Sequence, residues 1–290
     1  MTSLPTPLAS AAGTFLIGGE LPVVRLGYGS MQLTGRNALG PPRDPDAARR
    51  VLRRAVELGV TLIDTADAYG PDVAENLIAE ALHPYPDDLV IATKGGFVRG
   101  DRGQWRTDGR PTHLRDALEG SLHRLRLDAI DLYQLHRIDS AVPLDDQIGT
   151  LSELRDEGKI RYIGLSEVTV TQVRRASVIT PIATVQNLYN LAQRDADDLV
   201  DYAAEHSIGF IPWFPLATGQ LTEPTGPMGA IARRSGASAS QIALAWLLQR
   251  SPTMIPIPGT SSVQHLEENL GSAQVQLEPS EIRLLNGRAR

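Results

Sequence analysis

TLIDTADAYGPDVAENLIAEAL (residues 61–82) passes from a short apolar run, through a polar loop, into a helical pattern. TLID (61–64) has the length and composition of a buried strand, and VAENLIAEAL (73–82) repeats its apolar residues at helical spacing. The same strand-then-helix unit recurs downstream: DLVIAT (88–93) with LRDALEGSLHRLRL (114–127), AIDLYQLH (129–136) with LDDQIGTLSELRDEG (144–158), and IRYIGLS (160–166) with TVTQVRRAS (169–177). IATVQ (182–186) precedes DADDLVDYAAEH (195–206), IGFIPW (208–213) precedes ASQIALAWLLQR (239–250), and TMIPIP (253–258) precedes SVQHLEENL (262–270). With VRLGYG (24–29) before PDAARRVLRRAVELG (45–59), the chain holds eight such units.

Strands alternating with helices at this spacing imply α/β architecture with a parallel sheet, and eight units in roughly 250 residues match a closed (β/α)8 TIM barrel. Helix starts agree with that reading. Asp44-Pro45 offers an N-cap followed by proline at the first helical position, and Ser238 with Gln241 reads as a capping box. Ahead of the first unit, TFLI and LPVV flank Gly18-Gly19-Glu20, which predicts an N-terminal β-hairpin capping the barrel's bottom. No linker, charge block or low-complexity tract interrupts the chain, so residues 1–290 read as one domain. An open doubly wound sheet would want G-x-G-x-x-G between a strand and a helix. GYGSMQLTG (27–35) supplies only the first two glycines, and prolines 41 and 42 intervene before the next helix.

Composition excludes several function classes. A net charge of −6 and a pI near 5.5 argue against nucleic-acid or anionic-membrane surfaces. With no cysteine, thiolate metal sites, disulfides and thiol nucleophiles are ruled out, and no histidine spacing suggests a metal. The N-terminus lacks the basic start of a signal peptide, and no apolar run is long enough to span a bilayer, so a cytoplasmic protein is expected. Nothing in the sequence sets an oligomeric state. Only Lys94 and Lys159 are lysines among 28 basic residues. A lysine in so arginine-biased a chain points to a site needing a compact ammonium of adjustable pKa.

Functional groups of such barrels collect at the C-terminal ends of the strands. Asp64, Lys94 and His136 close three consecutive strands, and Tyr69 lies in the loop after the first. Each alone has a plain alternative: a turn residue, a loop aromatic, a solvated strand end, a structural histidine. Together on adjacent strands they converge on one patch suited to carbonyl reduction. A phenol holds its proton at neutral pH and can hand it to a developing alkoxide. A neighbouring ammonium (Lys94) eases that transfer, a carboxylate (Asp64) keeps the ammonium charged, and His136 can hydrogen-bond and orient the carbonyl oxygen.

LIDTADAYG, VIATKGG, DLYQLH and GKIRYIGLS, in that order, resemble the successive motifs of the aldo-keto reductase superfamily, and the likeness runs from about Val24 to Asn269. The resemblance implies a (β/α)8 barrel reducing aldehydes and ketones with NADPH, Tyr69 as general acid supported by Lys94 and Asp64, and His136 orienting the substrate. It also implies a cofactor site. Trp213 would stack on the nicotinamide, with Ser166 and Gln186 at the carboxamide. Gly29, Ser30, Met31 and Asp64 would approach the same end, and Phe214, Pro215, Leu216 and Thr218 would line the pyrophosphate path. Gly259, Thr260, Ser261 and Ser262 open a helix, which reads equally as an anion site or as ordinary capping. The resemblance makes it the adenosine 2′-phosphate pocket, with Glu268 and Asn269 at the adenine. Many members carry Lys and Arg where this chain has Ser262 and His265, so NADH enters as an alternative to NADPH. Glu167 stands where Asn is common.

The stretch GGFVRGDRGQWRTDGRP (95–111) is long for a strand-to-helix loop and holds Phe97 and Trp105, which are expected to overhang a small-molecule carbonyl substrate. Small aldehydes, aromatic ones and pyridoxal among them, lead the expectation. Relatives that act as regulatory subunits, such as voltage-gated channel β subunits, give the alternative: a cofactor-binding partner with little turnover.

Overall fold

The structure, a computed structural model, describes residues 8–100, 103–216 and 227–287. Its strands are β1 (Thr14–Ile17), β2 (Leu21–Val24), β3 (Tyr28–Gly29), β4 (Leu62–Asp64), β5 (Val90–Gly95), β6 (Phe97–Arg99), β7 (Trp105–Thr107), β8 (Ile130–Leu135), β9 (Ile160–Ser166), β10 (Ile182–Leu188) and β11 (Gly209–Trp213). Its α-helices are α1 (Pro45–Glu57), α2 (Val73–Leu82), α3 (Pro111–Leu125), α4 (Leu144–Asp156), α5 (Val170–Ile179), α6 (Asp197–Glu205), α7 (Pro227–Ser235), α8 (Ala239–Arg250), α9 (Val263–Gly271) and α10 (Pro279–Asn286). Among the described residues, no helix is long and apolar enough to cross a membrane.

Seven strands pair in parallel in the order β11-β10-β9-β8-β5-β4-β3, each joined to the next by a right-sized crossover. The sheet curls until its edges nearly meet, and residues 253–256 bridge the gap. Phe210 donates to the Thr253 carbonyl at 2.8 Å, Ile255 donates back to Phe210 at 2.8 Å, and Gly27 donates to the Pro256 carbonyl at 2.9 Å. A (β/α)8 barrel results. TMIPIP (253–258) is therefore in the eighth strand's place, but only Met254 forms a bridge, to Phe210. Proline at 256 and 258 removes two N–H donors, and Pro212 on the facing strand removes a third, so a ladder cannot propagate there. The first strand is likewise shorter than VRLGYG, because Val24 belongs to the hairpin.

Period-two alternation sorts each strand's side chains. Leu62, Val90, Ala92, Leu132, Ile211, Ile255 and Ile257 form an apolar cluster inside the barrel. Ile63, Ile91, Tyr133, Leu135, Ile163, Leu165 and Val185 join a second cluster beneath the helices. The antiparallel hairpin β1–β2 places Ile17 and Val23 in the inner cluster and so plugs the barrel at the start of the strands. Helix starts follow sequence chemistry: Asp44 accepts from the Ala47 amide at 2.9 Å, and Ser238 and Gln241 form the reciprocal capping box.

Candidate active site

The alternation that buries Leu62, Val90 and Leu132 in the barrel also aims Asp64, Lys94, Gln134 and His136 inward, at the opposite end from the hairpin. Lys94 is fully buried on a strand with no exposed residue. Its ammonium donates to Asp64 Oδ1 at 2.5 Å and to the Thr65 carbonyl at 2.8 Å. The other carboxylate oxygen, Oδ2, accepts from Gln186 Nε2 at 2.9 Å and from Gln134 Nε2 at 3.1 Å. A buried carboxylate thus has its charge matched by one ammonium and two amides, which is what makes ionised groups tolerable at this depth. Gly164 makes room for that arrangement: a Cβ there would stand 2.8 Å from the Gln134 Cγ and 2.3 Å from the Thr184 hydroxyl.

Tyr69 sits in the turn after β4, its amide donating to the Ala66 carbonyl at 3.2 Å. The Lys94 ammonium lies 5.2 Å from the centre of its ring, and the His136 ring meets it edge-on at 5.9 Å and 84°. Burial raises the Tyr69 pKa above that of a free phenol, while the charge of Lys94 and a hydrogen bond with it pull the other way. For Lys94, burial works against the charge, but Asp64 and Tyr69 outweigh it and leave the pKa raised. Burial, with Lys94 and Arg137 adding, holds His136 well below the usual imidazole range, so the ring is neutral at neutral pH. Its Nδ1 is enclosed and has no hydrogen-bond partner among the described residues.

Above these groups opens a cavity of about 840 Å³. Of the positions singled out in the sequence, Gly29, Ser30, Met31, Asp64, Tyr69, Phe97, Trp105, His136, Ser166, Gln186, Trp213, Phe214, Pro215, Leu216 and Gly259 line it. Lys94 lies behind the wall, reaching the cavity only through Tyr69 and Asp64. Thr260, Ser261, Ser262 and His265 follow Gly259 around the start of α9 and Glu268 and Asn269 lie near its end, but none of the six borders the cavity. Ser262 is that helix's N-cap, accepting from the His265 amide at 3.4 Å. Thr218 lies outside the described residues.

Glu167 does not face the cavity; its Oε1 accepts from the Trp213 indole at 2.7 Å and the Leu188 amide at 2.8 Å, fixing the ring's edge. The stretch 95–111 is not a plain loop but the antiparallel pair β6–β7, pairing Phe97 with Thr107 and Arg99 with Trp105. Sequence reasoning missed Arg36, Arg99 and Arg137, which also line the cavity. The available signal was position alone: Arg137 directly follows His136, and Arg99 shares the strand of Phe97.

A phenol, an ammonium–carboxylate pair and a neutral imidazole thus stand together at the strand ends of a parallel barrel, an arrangement able to pass a proton to a bound ligand. The family model for the aldo/keto reductase family matches residues 25–288, and the chain belongs to that family. It is 48% identical over 269 residues to an uncharacterized oxidoreductase of Schizosaccharomyces pombe, covering 93% of this chain and 87% of that protein. It is 43% identical over 286 residues to the pyridoxine 4-dehydrogenase of Escherichia coli, covering 97% and 99% of the two chains. Among solved structures, an aldo-keto reductase from Klebsiella pneumoniae in complex with NADPH superposes with a TM-score of 0.79 at 27% identity, covering 95% of this chain and 94% of that one.

Proposed function

We propose that this protein reduces small aldehydes and ketones to alcohols with a nicotinamide cofactor, Tyr69 acting as general acid. The observation that carries the reading is the buried relay Asp64–Lys94–Tyr69 beside a neutral His136 at the floor of the cavity. As negative charge grows on the carbonyl oxygen, the phenol O–H and the imidazole N–H stand beside it to stabilise that charge. Tyr69 gives up its proton to that oxygen. Lys94 stabilises the phenolate left behind, and Asp64 with its two glutamine donors keeps Lys94 charged and in place.

The chain's own residues fit a nicotinamide cofactor. The Ser30 hydroxyl is buried on the cavity wall with no hydrogen-bond partner among the described residues, as is suited to a polar ligand group. Ser166 accepts from Arg137 at 2.9 Å yet keeps its own proton to donate, and Gln186 keeps its amide oxygen to accept. Trp213 offers a ring held by Glu167 for stacking, and Phe214, Pro215, Leu216 and Gly259 continue the same wall. When bound, the reduced cofactor supplies the hydride. Residues 259–265 contain no Lys or Arg, so NADH is expected to bind within about tenfold of NADPH, a smaller gap than a lost charge-assisted contact to the 2′-phosphate produces. The relative that acts on pyridoxine makes pyridoxal and similar flat aromatic aldehydes the first substrates to try.

The test is NADPH consumption with a panel of aldehydes, together with Tyr69→Phe. Turnover is expected to fall at least ~100-fold, the scale of losing a general acid, while quenching of tryptophan emission by NADPH stays as in the parent protein. Cofactor binding without consumption on any aldehyde would leave a binding protein rather than a reductase.

A further inference from the structure

We propose that the physiological carbonyl substrate carries an anionic group, received by Arg99 and Arg137 on the cavity wall beside His136. This rests on the reductase reading of the same site and narrows it to a substrate class.

The wall is built by the β6–β7 pair. Cross-strand pairing of Arg99 with Trp105, and the two-residue period of a strand, put Phe97, Arg99 and Trp105 on one face, and all three line the cavity. The side chains form a stacked series. Arg137 lies over the Phe97 ring at 5.0 Å, Phe97 stacks on Trp105 at 4.7 Å and 11°, and Arg99 lies over Trp105 at 4.0 Å. Phe97 also meets the His136 ring edge-on at 5.2 Å, so the series begins where the carbonyl would be oriented. A guanidinium that stacks by its face leaves its N–H edge for bidentate recognition of a carboxylate or phosphate.

The charge balance is what calls for a ligand. Many arginines of this acidic chain, among them Arg49, Arg54, Arg115, Arg124, Arg161, Arg175, Arg234 and Arg250, have a carboxylate within ion-pair distance. Among the described residues, the three arginines that line the cavity, Arg36, Arg99 and Arg137, have none. Arg99 donates from Nη2 to the Asn37 carbonyl at 2.8 Å, but its Nε is enclosed and has no partner among the described residues. Arg137 spends Nη1 on the His136 carbonyl at 2.6 Å and on Ser166. Burial lowers the pKa of both, and for Arg137 the charge of Glu167 only partly offsets it. Asp64, the single acid bordering the cavity among the described residues, is already held by Lys94. The cofactor's phosphates do not meet this need. The residues assigned to them by the proposed cofactor site follow β11 and the closing segment, whereas Arg99 and Arg137 follow the adjacent strands β5 and β8, three and more places away in the sheet.

The experiment compares kcat/KM for benzaldehyde, para-carboxybenzaldehyde, para-formylphenyl phosphate and para-(trimethylammonio)benzaldehyde with the full chain and NADPH. At least one anionic aldehyde is expected to exceed benzaldehyde by ~10-fold or more at low salt, with the preference shrinking as salt screens it. The cationic aldehyde is expected to fall below benzaldehyde. Arg99→Gln should bring the anionic-to-neutral ratio close to one, and Arg99→Lys should restore part of it. Whether carboxylate or phosphate gains more names the group. If benzaldehyde is reduced as well as both anions, the proposal is overturned while the reductase reading stands. Binding without turnover is read separately, by quenching of tryptophan emission with terephthalate against neutral terephthalamide. Selective quenching by the dianion with no aldehyde reduced upholds the anion site and defeats the reductase reading. Should Arg99→Gln fail to fold, the parent protein's substrate ratios and their salt dependence still decide.

Discussion

At the scale of single residues, the site works by opposing burial against charge. Tyr69 must be protonated to act as an acid, and its pKa stands above that of a free phenol because burial outweighs the pull of Lys94. The reduction rate is therefore expected to stay level through neutral pH and to fall only as pH rises past the ordinary phenol value of about 10. Alcohol oxidation needs the phenolate and should rise over the same range. On the acid side, His136 stays neutral well below the usual imidazole value of about 6.5, so no loss is expected as pH falls to about 6. Rate profiles for both directions check this, and a halving of the reduction rate between about pH 6 and pH 8 would contradict it. Asp64 has a second consequence. Asp64→Asn leaves the fully buried Lys94 without a counter-charge, and removing one partner of a buried pair costs about 3–5 kcal/mol. A large fall in the urea midpoint is expected for Asp64→Asn, whereas Tyr69→Phe, which keeps the pair, should unfold close to the parent protein.

At the scale of elements, what the sequence makes legible follows what local physics decides. IRYIGLS, VAENLIAEAL and ASQIALAWLLQR match observed elements residue for residue, because each carries an uninterrupted run of residues suited to its element, and at ASQIALAWLLQR the Ser238 capping box fixes the start as well. The inward placement of Asp64, Lys94 and His136 is legible for the same reason: each stands at the end of a strand in register with an inward apolar residue, Leu62, Val90 and Leu132 respectively. TMIPIP has a strand's apolar pattern, but prolines govern hydrogen bonding, which pattern does not report. Its tight fit against the first strand is instead made by glycines: a Cβ at Gly29 would stand 2.7 Å from the Ile257 carbonyl, and one at Gly259 would stand 2.7 Å from the Gly29 carbonyl. The β6–β7 pair was hidden because two three-residue strands carry too few positions to show a period. The cavity arginines were hidden by composition, since arginine supplies nearly every cation in this chain and one more carries no signal. Their meaning lies in the absence of an acidic partner, which is a three-dimensional property.

At the scale of the molecule, the two ends of the barrel have separate tasks. Exposed ion pairs tie neighbouring helices of the outer ring, such as Arg49 with Glu80 across α1 and α2 at 2.6 Å, and Arg250 with Asp201 across α8 and α6 at 2.8 Å. Pairs so exposed contribute little each. Stability rests instead on the buried clusters, and the hairpin is the part of them that carries no chemistry. Ile17 is completely buried against Leu62, Val90 and their neighbours, at the end of the barrel away from Tyr69 and His136. Truncating it opens a cavity between a two-stranded plug and a barrel wall whose backbone is fixed by parallel ladders on both sides, so relaxation is limited. Ile17→Ala is expected to cost about 2–5 kcal/mol, measured as a lower urea midpoint at unchanged slope, with kcat and KM for a reduced aldehyde as in the parent protein below the transition. If turnover falls along with stability, strain at the plug is reaching the strand ends, and the floor and the mouth of this barrel are one cooperative unit rather than two.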